Sequence, residues 1–168
     1  LWATYYGGTG EDGGYSVATD AVGNVYLAGN TKSASGISSG GFQNAFGGGL
    51  WFDAFLVKFN AATGNLLWAT YYGGTLTEET GNVATDVLGN VYLAGRSNSN
   101  SGISAGGFQN VFGGTYDAFL VKFDAVTGNR LWATYYGGAL GDYGFGVATD
   151  VAGNVYLAGI TVSTTGIA

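Results

Sequence analysis

Seven acidic side chains lie in or beside glycine-rich segments that recur along the chain. Carboxylates are the ligands that hard cations such as calcium prefer. Alternate connections of an antiparallel sheet emerge at the same edge, so we expect these acids to share one face with only Lys32 and Arg96 opposing them. This face should bind divalent cations, calcium in the first place, and no other cofactor is indicated. The candidate ligands are Glu11, Asp12, Asp53, Glu78, Glu79, Asp117 and Asp142.

Two aromatic side chains in the variable connections could stack on a sugar ring. They are Trp51 and Tyr116, which precede equivalent Asp-Ala-Phe-Leu-Val-Lys-Phe segments. Trp2, Trp68 and Trp132 recur at identical positions and are better explained as packing between structural units. Trp51 and Tyr116 are therefore the candidates for a ligand surface, and glycans are candidate partners.

The composition argues against catalysis. The chain has no histidine and no cysteine, so it lacks the usual general base near neutral pH and any thiolate nucleophile. A glycoside hydrolase that uses two carboxylates stays open as an alternative, because Glu78, Glu79 and Asp142 stand outside the obvious repeat pattern. We expect a protein that is not an enzyme and has no catalytic residues.

Charge and hydropathy exclude further classes of function. The net charge of −6 and the pI near 4.1 disfavour binding to nucleic acid or to anionic membranes, since both need a basic face. No apolar run approaches the ~18 residues that predict a membrane-spanning helix, and no targeting segment is visible at the start. With 46% apolar and 10% charged residues in 168, the chain should fold.

An octapeptide organises the sequence. Leu-Trp-Ala-Thr-Tyr-Tyr-Gly-Gly occurs without change at residues 1–8, 67–74 and 131–138. The spacing of 66 and then 64 residues gives a repeat of about 65 residues. Such self-similarity indicates stacked units that cannot bury their apolar faces alone.

Each unit contains four predicted strands. In the first complete unit they are Ser16–Thr19, Val25–Gly29, Asp53–Phe59 and the octapeptide, with turns at Gly-Asn and Thr-Gly-Asn. A glycine- and serine-rich connection with Phe42 and Phe46, matched by Phe108 and Phe112, should be ordered and self-packed. Four antiparallel strands with two apolar faces predict an all-β fold of β-propeller blades. The expected order in this single array, 1–168, is strand four at 1–8, a blade at 14–74, a blade at 81–138 and a partial blade at 144–168, with eleven strands in all.

These motifs also resemble a known family. Asp-x-x-Gly-Asn-Val-Tyr-Leu-Ala-Gly, Gly-Gly-Phe-Gln-Asn, Asp-Ala-Phe-Leu-Val-Lys-Phe and the octapeptide together are similar to the bacterial SBBP-type β-propeller repeat. The resemblance covers the whole chain. It implies a propeller in extracellular or cell-surface proteins of bacteria, and it carries over no catalytic residues.

The ends of the array predict self-association. The first segment has no other strand of its own blade, and the last hairpin has no strands three and four. Both ends should therefore expose unpaired backbone groups that can pair with another chain. The contact would be head-to-tail, either between copies of the chain or with further blades of a longer chain. The expected assembly edge is Leu1, Trp2, Ala3, Thr4, Tyr5 and Tyr6.

The leading hypothesis from the sequence is therefore a non-catalytic, structural or adhesive propeller module that assembles through its blade edges. A lectin-like propeller that binds carbohydrate is the alternative, and a glycoside hydrolase ranks below both.

Overall fold

A computed structural model describes residues 1–49 and 51–167, so the last residue of the expected partial blade lies outside the described residues. The described chain contains strands and no helix, and hence no helix long and apolar enough to cross a membrane. Ten strands are present in this part of the chain: β1 Asp12–Thr19, β2 Val25–Thr31, β3 Asp53–Phe59, β4 Leu66–Tyr72, β5 Glu78–Thr85, β6 Val91–Ser97, β7 Asp117–Phe123, β8 Arg130–Tyr136, β9 Asp142–Thr149 and β10 Val155–Thr161.

The strands form two four-stranded sheets and one two-stranded sheet. All neighbours are antiparallel, in the orders β1-β2-β3-β4, β5-β6-β7-β8 and β10-β9. The prediction of an all-β fold with two full blades and a partial one is confirmed. We number these sheets blade 1, blade 2 and blade 3 in chain order.

The middle strands of the blades form the core. All seven residues of β3 are buried, because the blade is covered on both faces, as the nearly continuous apolar sequence predicts. The first strands β1, β5 and β9 lie side by side. Thr85 Oγ1 donates to the Thr19 carbonyl, and Thr149 Oγ1 donates to the Thr85 carbonyl. The small residues of these strands therefore allow successive blades to crowd together at their inner edges.

Each first strand begins earlier than the sequence predicted. β1, β5 and β9 start at Asp12, Glu78 and Asp142, whereas the sequence predicted blades that begin at 14, 81 and 144. Each contains a bulge at the equivalent place, the first of them between Gly14 and Ser16. The bulge and the glycines hide the strand pattern in the sequence, because one extra residue shifts the alternation of side chains.

The long connection between strands two and three is ordered and lies along the outer edge of strand four. In blade 1, Ser39 exchanges backbone hydrogen bonds with Ala69, and Tyr71 donates to the Gln43 carbonyl. Residues Ala105 and Gln109 make the same contacts in blade 2. The connection therefore covers an edge strand that would otherwise be free to pair with another chain.

The first eight residues differ from the prediction of an eleventh strand. Residues 1–8 pair with no strand of the described chain. They nevertheless lie on blade 1 as β4 lies on blade 2: Trp2 and Tyr6 pack against Phe59, with ring centroids 6.1 and 5.6 Å apart. The segment occupies the position of a fourth strand but has no neighbour that could form a ladder with it.

Candidate functional site

Acidic side chains meet where consecutive blades adjoin. Asp53 begins β3 of blade 1 and Glu78 begins β5 of blade 2, and both are fully buried. Asp53 Oδ2 accepts a hydrogen bond from Gly47 N at 2.6 Å, whereas its Oδ1 accepts none from any described residue. Glu78 accepts from Ser97 Oγ at 2.5 Å and from Gly74 N at 2.7 Å.

The same arrangement recurs between blades 2 and 3. Asp117 begins β7 and Asp142 begins β9, and they are 0% and 2% exposed. Asp117 Oδ2 accepts from Gly113 N at 2.8 Å, and Asp142 Oδ2 accepts from Gly138 N at 2.7 Å and from Ser163 Oγ at 2.8 Å. The Oδ1 atoms of both aspartates are buried and accept no hydrogen bond within the described chain.

A glycine leaves room for the second pair. A Cβ atom on Gly137 would stand 2.6 Å from Asp117 Oδ1 and 2.9 Å from Asp142 Oδ2. The two carboxyls therefore flank the same point of the backbone. We call Asp53 with Glu78, and Asp117 with Asp142, the junction carboxyl pairs.

Burial raises the pKa of three of these carboxyls, those of Asp53, Glu78 and Asp117. Burial, together with the charge of Glu78, raises the pKa of Asp53 to about 7, although the hydrogen bond from Gly47 works in the opposite direction. Burial also raises the pKa of Asp117, with the charge of Asp142 adding to the effect, and raises the pKa of Glu78. Desolvation disfavours the charged form, and a second carboxylate nearby disfavours it further.

Asp12, Glu78 and Asp142 occupy one position of the repeat, so the interpretation of Glu78 and Asp142 as exceptions to the pattern is wrong. Each accepts a hydrogen bond from the last glycine of the octapeptide, which for Asp12 is Gly8 N at 2.7 Å. Asp12 also accepts from Ser33 Oγ, as Asp142 does from Ser163 Oγ. The alternation of Asp and Glu conceals this position in the sequence.

The other two predicted ligands form ion pairs at the surface. Glu11 lies 2.8 Å from Lys32 Nζ, and Glu79 lies 2.6 Å from Arg96 Nη2. Across residues 1–49 and 51–167, no group of three or more acidic side chains is close enough together to hold a metal ion. The seven predicted ligands are therefore distributed over two junction pairs, two ion pairs and Asp12. Glu78, Glu79 and Asp142 likewise have different partners and do not share one site.

The two aromatic candidates do meet in space. Trp51 and Tyr116, from equivalent positions in successive units, line one cleft of about 370 Å³ together with Phe52, Thr77, Glu79 and Asn98. Trp51 is 60% exposed. Lys32 Nζ lies 4.4 Å from the ring centre of Phe52, and Arg96 Cζ lies 5.3 Å from that of Tyr116. The cleft thus combines aromatic faces with polar groups at the boundary of blades 1 and 2.

Two of the repeated tryptophans, Trp2 and Trp68, contact the following blade, as predicted. Trp68 Nε1 donates to the Ala125 carbonyl of blade 2 at 3.0 Å, and Trp2 Nε1 donates to the Ala61 carbonyl of blade 1 at the same distance. Trp68 is 3% exposed and packs against Tyr26. The repeated tryptophans therefore serve packing, which leaves Trp51 as the aromatic side chain of the cleft that faces solvent.

Equivalent side chains are buried between blades 1 and 2 but exposed beyond blade 2. Tyr72 is fully buried against Phe119 and Phe123 of blade 2, whereas its counterpart Tyr136 is 39% exposed. Tyr156 in β10 is 55% exposed, although its counterparts in β2 and β6 are buried.

The aromatic side chains of the long connection show the same difference, with one half-buried between blades 1 and 2 and its counterpart exposed beyond blade 2. Phe42 is half-buried under Arg130 of blade 2, with 4.4 Å from the guanidinium to the ring centre. Phe108, its counterpart, is 87% exposed, so the expectation that it would be buried in its own loop is wrong. Phe42 therefore packs on the following blade, whereas the described part of blade 3 has no third or fourth strand for Phe108 to meet.

The chain contains repeated four-stranded antiparallel sheets, and successive sheets pack on one another. This arrangement defines a β-propeller repeat protein. The sequence model of the beta-propeller repeat family, SBBP, matches residues 1–36, 67–102 and 131–166, and the chain belongs to this family. Each matched stretch begins with the octapeptide and ends beyond the second strand.

A further relative also has a repeat in its name. An uncharacterized WD repeat-containing protein of Acanthamoeba polyphaga mimivirus is 29% identical over 131 residues, which cover 64% of this chain. The match spans 9% of the length of that viral protein. Together the two comparisons support a repeat β-propeller module.

Proposed function

We propose that this chain is a non-catalytic structural module whose uncovered blade face receives another unit of the same repeat. In the isolated chain a second copy supplies that unit, and in a longer chain further blades do so. The exposure of Phe108, set against the packing of Phe42 on blade 2, is the observation that carries the proposal.

The occupant is identified by the junction that the chain already contains. Between blades 1 and 2, aromatic rings of one blade enter the space beside Phe119 and Phe123 of the next. Tyr136 and Phe108 present the same chemistry beyond blade 2. Because all units share the same motifs, a surface that fits one unit of the repeat also fits another unit. Repetition of this contact therefore stacks the units head-to-tail.

The first six residues provide the opposite end of this contact. Trp2 and Tyr6 lie on blade 1, whereas Leu1 and Tyr5 are fully exposed. Since β4 pairs with β3 and not with β2, the segment Leu1–Tyr6 of a neighbour would lie at the fourth-strand position of blade 3, with a third strand still to be supplied. Further repeats of a longer chain would therefore supply both missing strands of blade 3, whereas a second copy would supply only the fourth.

Sedimentation velocity from about 1 to 100 µM tests this proposal. The purified chain should associate with rising concentration, and Phe108→Asp should weaken association at least tenfold because it places a charge in an apolar contact. Val22→Asp is the matched control, since Val22 is 77% exposed in a β1–β2 turn away from this face. A wild-type chain that remains a folded monomer throughout, or a Phe108→Asp variant that associates like the wild type, contradicts the proposal.

A second candidate function is carbohydrate binding in the cleft of Trp51 and Tyr116. The convergence of both rings with Thr77, Glu79 and Asn98 favours it, because sugar sites combine an aromatic platform with a few convergent polar groups.

A glycan array probed with the labelled chain tests this candidate. We expect retention of at least one carbohydrate class, reduced at least tenfold by Trp51→Ala and unchanged by Tyr15→Ala. Tyr15 is 63% exposed and does not line the cleft. Equal retention of wild type and Trp51→Ala, or no retention at all, rules the cleft out as a sugar site.

An adhesive role at the bacterial cell surface is part of the same proposal and rests on the family resemblance alone. Protease treatment of intact source cells should release peptides of this chain. Protection until the cells are lysed would contradict the location.

A further inference from the structure

The junction carboxyl pairs are unusual because they are buried without a compensating charge. All five lysines and arginines of the chain have other partners. Lys32, Lys58, Arg96 and Lys122 form ion pairs with acids outside these pairs, and Arg130 donates to backbone carbonyls. Burial of a carboxylate is costly unless a cation or enough hydrogen bonds compensate it.

The hydrogen bonds in place leave specific oxygens unused. Gly47 and Gly113 anchor Asp53 and Asp117 through Oδ2 only. The Oδ1 atoms of Asp53, Asp117 and Asp142 are buried and accept no hydrogen bond in the described chain. A loop anchor accounts for Oδ2 of Asp53 and Asp117, but it does not account for the buried Oδ1 acceptors at the start of two third strands and one first strand.

Protonation of one carboxyl is the alternative to a bound cation, and a response to calcium distinguishes the two. None of the hydrogen bonds accepted by Asp53, Glu78, Asp117 and Asp142 comes from the other member of the pair. A calcium ion, with oxygen ligands at about 2.4 Å, can bridge two neighbouring carboxyls. Gly137 lies against Asp117 Oδ1 and Asp142 Oδ2, so an ion shared by the second pair would lie near this glycine.

Further oxygens lie beside both pairs. The Gly74 carbonyl and Asp53 Oδ2 both lie against Gly47. The Gly138 carbonyl lies against Gly113, whose N–H holds Asp117. Asp142 also forms part of the wall of a cavity of about 340 Å³, from which water could complete a coordination shell. All of these donors are oxygens, which suits calcium better than a transition metal.

We propose that a divalent cation, calcium in the first place, binds between consecutive blades, held by Asp117 and Asp142 at one junction and by Asp53 and Glu78 at the other. Each site takes one carboxylate from the third strand of one blade and one from the first strand of the next. The cation therefore joins blades through the loop side of the propeller, whereas the tryptophans join them through packing.

Calcium titration of the full chain at pH 8 tests the proposal, with terbium luminescence excited through the aromatic residues as a second probe. The variant Asp53→Asn with Asp117→Asn should lose at least tenfold in calcium affinity. The control, Glu11→Gln with Glu79→Gln, removes the acids of the two surface ion pairs with Lys32 and Arg96 and should bind within twofold of the wild type. Retention of wild-type affinity in the junction variant overturns the proposal.

Two measurements keep the test independent of the stability of the variants. Calcium should raise the melting temperature of the wild-type chain at pH 8 by several degrees, and magnesium should raise it less, because magnesium demands a stricter geometry. In chelator, the junction variant should melt no lower than the wild type, since it has lost two buried charges. If the melting temperature of the wild-type chain changes on acidification but not with millimolar calcium, the buried carboxyls are protonated instead of bound to a cation, and the proposal is wrong.

Discussion

The aspartates of the β1–β2 turns show how much one side chain can do locally. In the third unit, Asp150 Oδ1 accepts from Asn154 N and its Oδ2 accepts from Asn154 Nδ2 and Tyr156 Oη. Gly153 in the same turn has a φ of +83°, which favours glycine. Asp20 and Asp86 make equivalent bonds. These carboxylates stabilise turns, as their sequence context predicts.

The Asp150 turn gives a prediction at the residue scale. The side chain and the backbone of Asn154, with help from Tyr156, lower the pKa of Asp150 to about 2. A lowered pKa in the folded state means that the contribution to stability is present above about pH 4 and is lost as the pH falls towards 2. Asn154→Ala should move the pKa of Asp150 upward, measured by NMR titration of the carboxyl carbon.

Tyr156→Phe provides the graded comparison for that titration. It removes one weaker donor, so it should raise the pKa of Asp150 by less than Asn154→Ala does. An Asp150 pKa that stays near 2 in Asn154→Ala would contradict the role of the side-chain hydrogen bond.

At the scale of elements, strand edges are treated differently in the complete and incomplete blades. The long connection covers β4 and β8, whereas β10 has β9 on one side only. The exposure of Tyr156 is a direct consequence. Its equivalents in β2 and β6 are covered by side chains of the third and fourth strands, namely Lys58 and Trp68 in blade 1 and Lys122 and Trp132 in blade 2. The β9–β10 hairpin thus lacks a specific pair of neighbours, the third and fourth strands of a complete blade.

Supplying that pair should stabilise the chain. We expect a chain lengthened after Ile167 by a second copy of residues 104–138 to unfold at a higher urea concentration. Ile103 and Ile167 are equivalent, since their carbonyls accept from Tyr72 and Tyr136 respectively. The appended strands would pair with β10 and bury several aromatic side chains, each worth roughly 1.5–3 kcal/mol. Urea unfolding should show both a higher midpoint and a steeper dependence on denaturant.

The matched control carries Phe119→Asp in the appended copy only. It lengthens the chain equally but places a charge against Tyr136, so most of the gain should disappear. Equal stability of the two lengthened chains would show that the added strands do not form the junction.

At the scale of the whole molecule, the two ends of each blade have different chemistry. The turn side carries ion pairs such as Lys58 with Asp20, 3.3 Å apart. The loop side carries the junction carboxyl pairs and the aromatic cleft. Successive blades therefore share an apolar interior between a turn side and a loop side of different chemistry. The proposed self-association and the proposed ligand binding use different surfaces and can be tested separately.

The sequence by itself determined the repeat, its all-β class and the strand bounds of the third strands. These follow from local physics: β-branched and aromatic runs favour strands, and Asp-x-x-Gly-Asn favours a turn whatever surrounds it. The docking of Trp68 was also predictable, because an identical apolar residue in every unit is typical of packing between units.

Only the tertiary structure decided which acids meet. Asp53 and Glu78 belong to different blades, and their proximity depends on how one sheet stacks on the next, which no local propensity encodes. Stacking also brings Trp51 and Tyr116 into one cleft and leaves Phe108 exposed. Equivalent repeats have similar local structure, but the side chains at the junctions acquire their burial and their partners from the neighbouring blade.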